Sequence, residues 1–176
     1  MSLSAADEIV EAIARVSGPE PVLVGIDGRG GASAGLATEV GASSVVLTAD
    51  FVRSTAEHAH DALDPQSTFE LWFDWQRLMS EVLDQLVLAQ PARFRAAGSE
   101  SEVEIRPSGI VVVAGPFVLR PQLRGYFDLT VWVEGGVVDG PSELAAAEDW
   151  YAENLRPADR ADLVVSVSAP GSSPGQ

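Results

Sequence analysis

The sequence predicts an α/β domain, a mostly parallel sheet flanked by helices, and three observations carry that expectation. Short apolar runs recur at about Pro21–Ile26, Ser44–Thr48, Ile110–Ala114, Leu129–Val133 and Ala161–Val165, and continuous apolar strands mark a sheet buried on both faces. Stretches with helical spacing separate them, which is the alternation of a parallel sheet. The length of 176 residues with 46% hydrophobic content suits one domain with a real core.

Taken in order, Asp7–Val16 places Ile9, Val10, Ile13, Ala14 and Val16 at helical spacing behind an acidic start, and Gly18-Pro19 ends it. This helix, within residues 1–20, is expected to pack on the domain. The strand at about Pro21–Ile26 runs into a glycine-rich turn and a short helix reaching about Val40. Ser44–Thr48 is a second strand, with Ala49–Arg53 leaving its carboxyl end. Ser54–Thr68 reads as polar and irregular, and Phe69–Trp75 is aromatic-rich.

Asp74 is placed to cap a helix from Trp75 to about Leu88, with Leu78, Val82 and Leu86 on one face and Met79 and Leu83 beside them. Pro91–Ser108 carries arginine and glutamate, with Val103–Ile105 as a short strand or hairpin arm. Ile110–Ala114 is the clearest buried strand, closed by Gly115. Ser142–Leu155 is helical by propensity, with Ser142 as N-cap. Residues 1–168 form a single domain in this reading, and Ala169–Gln176, rich in Pro, Gly and Ser, is a flexible tail.

The segment Val22–Ala37 organises the rest. A strand, a glycine turn and a helix N-terminus together are how backbone N–H groups cradle phosphate. The working pattern is G-x-x-x-x-G-K-[ST]. Counted from Gly28, Ser33 stands where the second glycine belongs, Ala34 in the lysine slot and Gly35 in the hydroxyl slot. The remnant is Gly28, Arg29, Gly30, Gly31, Ala32, Ser33, Ala34 and Gly35. Gly28, Gly30 and Gly31 still suffice for a backbone anion nest, and equally for a plain tight turn.

Composition narrows the function. A formal charge of −15 argues against nucleic acid and anionic membranes as partners, since both are gripped through basic patches. All eleven basic residues are arginine, so no lysine elsewhere can replace the missing one. With no cysteine, disulfides, thiolate metal sites and cysteine nucleophiles are excluded. The N-terminus lacks the basic flank and apolar core of a signal peptide, and no apolar run nears the roughly 20 residues of a membrane span. A cytoplasmic protein is expected.

Several ordered segments together resemble the uridine kinase-like family of P-loop kinases, over about Pro21–Ala169. They are Gly25–Ala32, Ala49–Arg53, Phe73–Leu78 with Glu81–Leu83, Pro91–Arg95, Val111–Gly115, Leu119–Leu129, Trp150-Tyr151 with Arg156-Pro157, and Ala161–Val165. The resemblance implies a three-layer P-loop NTPase-like fold. It also implies that Asp50, Phe51, Arg53, Phe73 and Asp74 mark a substrate pocket of nucleoside type, with Asp74 on ribose hydroxyls. Asp74 is explained equally well as a helix cap.

The departures fall on the chemical positions. Ala34 and Gly35 replace the loop lysine and the magnesium-side hydroxyl, Ala49 the expected general base, and Ala114 the acid ending the third strand. Glu134–Asp149, where relatives carry an arginine-bearing lid, is short and has no arginine. Phosphoryl transfer depends on charge and positioning around the transferred group, so losing all of these together removes most catalysis.

The expectation is a catalytically inactive pseudokinase that binds a small nucleoside-like molecule or a protein partner, including a second copy of itself. One alternative is an active phosphotransferase, in which Arg29 and Asp50 replace the missing lysine and base and ATP and magnesium enter as cofactors. Another is a structural subunit without ligand. His58 and His60, near Asp61 and Asp64, read as a solvated loop, so no metal is assigned. Trp72, Trp75, Trp132 and Trp150 read as packing residues, and Asp27 as a loop residue that bonds backbone.

Overall fold

The computed structural model describes residues 3–53, 64–136 and 140–168. His58, His60, Asp61 and the proposed tail at 169–176 lie outside them. The first helix, α1 (Ala5–Arg15), begins two residues earlier than its apolar spacing indicates, because Ser4 and Asp7 form a reciprocal capping box. It buries Ala6, Ile9 and Ile13.

Strand β1 (Val22–Gly28) leads through a short turn to α2 (Ala32–Glu39), then β2 (Ser44–Leu47). Thr48–Phe51 is a turn of 3-10 helix rather than the end of the strand. Pro65–Leu71 forms a helix, α3, capped by the Asp64 side chain on the Ser67 N–H, so the irregular reading of residues 65–68 is corrected. The polar Pro-Gln-Ser-Thr run hid the signal, although a proline at the first helical position behind an aspartate is a start signature.

Asp74 does cap the next helix, accepting from the Arg77 N–H. This α4 is built of Trp75–Arg77, a π-helical stretch Leu78–Leu83, and Asp84–Val87. The π-helical widening alters the spacing, and Leu78, Val82, Leu83 and Leu86 all reach the core. A small hairpin follows, β3 (Ala92–Arg95) antiparallel to β4 (Glu102–Ile105). The chain continues through β5 (Ile110–Ala114), α5 (Pro121–Arg124), β6 (Leu129–Glu134), α6 (Ser142–Asn154) and β7 (Leu163–Ser166). Pro141, not Ser142, stands at the N-cap of α6, and no side chain caps it.

The main sheet is five-stranded and parallel, in the order β2-β5-β1-β6-β7. Alternation along the strands splits the core in two. Val24, Ile26, Val112, Ala114, Val131 and Val133 pack with α1 and α2. Leu23, Val111, Val113 and Trp132 pack with α3, α4 and α6. The result is a three-layer α/β domain with helices on both faces, as the strand pattern predicts.

The carboxyl ends of β1, β5 and β6 converge, and β1 runs two residues further than its apolar run, so Asp27 and Gly28 belong to the strand. The sheet is tight there. A Cβ on Gly28 would stand 2.8 Å from the Val133 Cβ and 2.9 Å from its carbonyl oxygen. Gly28→Ala therefore forces β1 and β6 apart. Overpacking of this kind costs about 1–3 kcal/mol, and urea unfolding is expected to show a loss of that size.

Candidate functional site

The glycine turn after β1 is compact. Only Arg29, Gly30 and Gly31 separate the last residue of β1 from the first of α2. Gly30 takes a left-handed φ of 64° and makes the turn. Gly31 stands at the N-cap of α2, and its carbonyl accepts the Gly35 N–H. Ser33 is fully buried, and its hydroxyl makes no hydrogen bond. Ala34 accepts the Thr38 hydroxyl on its carbonyl, one turn on. From the other side, the turn after β6 presses in so closely that a Cβ on Gly136 would overlap the Arg29 carbonyl oxygen.

Helix α6 lies over this turn. Glu148 is buried, and its carboxylate faces the Gly30 N–H. Burial pushes Glu148 up to about 7, the Gly30 N–H opposes that shift, the Asp27 charge adds to it, and Arg29 opposes it. Arg29 Nη1 pairs with Asp149 Oδ1 at 2.6 Å on the half-exposed rim. Asp27, Gly28, Arg29, Pro116, Phe117, Trp132, Glu148 and Tyr151 leave between them only a crevice too tight to admit a water molecule.

Asp27 is the hub below. Its carboxylate accepts the N–H groups of Gly28 (2.7 Å), Phe117 (3.2 Å) and Leu119 (2.9 Å), and the Tyr151 hydroxyl (2.7 Å). It bonds backbone as expected, but from within a strand rather than a loop. Burial outweighs these bonds and pushes its carboxyl up to about 7. Burial first, and the Asp27 charge second, push the Tyr151 hydroxyl well above its usual range, so Tyr151 is a neutral donor.

Arg120 is buried nearby, its guanidinium 4.4 Å from the ring centres of both Phe69 and Trp75, and it donates to the Phe69 carbonyl. Burial brings it down to about 10, which leaves it charged at neutral pH.

The expected substrate-pocket residues meet through their backbones. Val52 and Phe73 form an isolated antiparallel bridge, Arg53 N–H donates to the Trp72 carbonyl, and Asp74 N–H donates to the Phe51 carbonyl. The side chains are differently employed. Phe51 is buried against Phe94, and Phe73 against Trp75 and Phe117, so both rings are core rather than pocket lining. Asp74 serves as the helix cap. Asp50 accepts the Leu47 N–H, and partial burial raises its carboxyl. Trp75 and Trp132 are buried and Trp72 and Trp150 pack against the core, as their reading as packing residues anticipates.

A separate cavity of about 780 Å³ opens on the other flank of the loop, between the start of α1, one face of α2, the Gly135-Gly136 turn and the end of β7. Gly31, Ala32 and Gly35 give it a smooth wall, and Glu39 is the one charged residue among the described residues that line it. Among the described residues no cluster of three His, Cys, Asp or Glu is arranged to hold a metal, and no helix is long and apolar enough to cross a membrane.

Glu148, Tyr151 and Arg120 were not singled out as site residues by the sequence. The available signal was Glu148 and Tyr151, three residues apart and so on one face of a helix whose neighbouring Ala147 is buried. A glutamate on a buried face has to answer to a specific partner.

The strand order and the helical layers on both faces make this an α/β domain of P-loop NTPase-like fold. Solved structures with the same fold include a possible uridine kinase from Bacillus stearothermophilus, with a TM-score of 0.71 and 22% identity over 91% of this chain and 96% of that one. A second, from Silicibacter sp. TM1040 and provisionally described as a fructose transport system kinase, has a TM-score of 0.55 and 17% identity over 93% of this chain and 99% of that one. No protein-family model matches the chain, and no curated protein matches it in sequence.

Replacing Tyr151 with Phe leaves Asp27 buried with one donor fewer. Such a loss costs about 1–3 kcal/mol, and chemical denaturation of Tyr151→Phe is expected to show it. Arg29→Ala, which breaks only a rim pair, is expected to change stability by less than about 1 kcal/mol.

Proposed function

We propose that the chain is a catalytically inactive relative of the uridine kinase-like P-loop proteins and works by binding, with a small nucleoside-like molecule as its ligand. The observation that carries this reading is the buried Glu148 carboxyl, which faces the Gly30 N–H of the glycine turn and, with Asp27, lines a crevice too tight for water. The absence of any lysine from the chain supports it further. Transfer through Arg29 and Asp50 is the weaker reading, because Arg29 is committed to Asp149 and Asp50 to the Leu47 N–H.

The ligand side of the proposal rests on the 780 Å³ cavity, a volume within the usual range for small-molecule sites. Among the described residues it has no basic side chain to hold phosphate and one acid, Glu39, to meet hydroxyl or amino donors. An uncharged nucleoside suits it better than a nucleotide. A protein partner, including a second copy of the chain, is the other occupant compatible with a non-catalytic domain.

Calorimetric titration with ATP and ADP, with and without magnesium, tests the inactivity. No magnesium-dependent binding tighter than about 100 μM is expected, and no phosphorylation of uridine. Saturable magnesium-dependent ATP binding with turnover overturns the proposal.

Uridine and adenosine, titrated separately, are expected to bind and to raise the melting temperature by mass action. Gly35→Leu sets a bulky side chain on the cavity wall at a position where a Cβ meets no other atom within 4 Å, and is expected to weaken nucleoside binding while the fold is kept. Absence of nucleoside binding moves the function to a protein partner.

A further inference from the structure

Helix α6 makes two kinds of contact with the remnant loop. At the rim, Arg29 and Asp149 form an exposed pair. Inside, Glu148 and Asp27 are 4% and 1% exposed, and the crevice they line is too tight for water. Two acids therefore share a dry space, and no solvent screens one from the other.

We infer that Glu148 latches α6 over the loop through its contact with the Gly30 N–H, and that the latch loosens when Glu148 and Asp27 both carry charge. This rests on the reading that the loop is not a working nucleotide site, and it adds how that site is kept closed.

The surrounding groups set the balance. From β1 comes Asp27, from the turn Arg29 and the Gly30 N–H, and from α6 itself Asp149. Segment 116–119 contributes Pro116 and Phe117 to the lining, and its N–H groups go to Asp27. Strand β6 contributes Trp132, and α3 contributes Phe69, stacked on Tyr151 at 5.2 Å. Tyr151 stays neutral at physiological pH, and Arg120 and Arg124 act on Tyr151 rather than on Glu148. Three acids thus face one arginine, and that arginine is already paired with Asp149.

The direction follows from linkage. Burial raises Glu148 from its ordinary 4.5 to about 7 in the closed arrangement. A closed state that holds a proton more tightly than the open one loses stability as pH rises between the two values, and no further above them. Asp27 is raised to about 7 as well and changes in the same sense. Three of its donors come from β1 and the 117–119 segment and one from α6, so it keeps most of its partners when α6 lifts. Glu148 dominates the switch.

Hydrogen exchange on the full chain, corrected for the intrinsic pH dependence, tests this on peptides covering residues 28–36 and α6. From pH 6 to pH 8 the opening constant of the loop is expected to rise about tenfold and to level off above about pH 8. Glu148→Gln, which cannot ionise, is expected to reduce the rise to below about threefold. An opening constant that does not change with pH in the wild type, or a full rise retained in Glu148→Gln, overturns the latch.

Carboxyl ¹³C shifts of the unmodified protein need no variant. A Glu148 midpoint near 7 supports the latch, and one near 4.5 overturns it. Magnesium-ATP binding by the same wild-type sample would remove the non-catalytic reading, and the exchange profile would still decide the latch.

Discussion

One buried carboxylate holds the carboxyl end of this sheet together. Asp27 draws in donors from its own strand, from the turn after β5 and from α6, three pieces of chain far apart in sequence. A carboxylate in such a place is tolerated only when its lone pairs are filled, so the position of each donor depends on the others. The Tyr151 bond spans 124 residues and brings α6 down onto the loop. Glu148 and Asp149 then reach their partners because Tyr151 has set the height of the helix. Closure of the crevice follows from this one anchor.

A glycine turn before a helix offers backbone N–H groups to an oxygen acceptor, and here the buried Glu148 carboxyl faces the one at Gly30. A phosphate must give up strong hydration to enter such a turn, whereas Glu148 arrives already tethered and loses less freedom in doing so. The electrostatic setting favours the internal partner too, since a chain of −15 with no lysine repels a polyphosphate at long range. Arg29, the one cation on the turn, is held by Asp149. Missing charges and the self-supplied acid act in the same direction.

The legible part of this protein is the part governed by local pattern. Ile110–Ala114 and Leu129–Val133 read as apolar runs and sit as buried strands, and Asp74 ahead of an apolar face caps its helix. The lack of charged or hydroxyl side chains at Ala34, Gly35, Ala49 and Ala114 is also visible in one dimension. The burial of Phe51 and Phe73 is not legible in the sequence, because an aromatic gives no local sign of whether its ring faces a cleft or the core. Glu148 went unseen for a related reason: its meaning lies in Gly30, and only the packing of α6 across the sheet brings the two together.

The strand order has a consequence for how the molecule is made. β1 is synthesised first among the strands yet lies at the centre, paired on both sides with strands that follow much later. Its Leu23 N–H waits for the Asp128 carboxylate, 105 residues on. Until β5 and β6 emerge, an apolar strand has no native partner, and contacts of such long range close slowly. A growing chain must carry that exposed strand past the point where unpaired edges seek one another. Its acidic neighbours, which keep nascent chains apart, then matter before the fold exists.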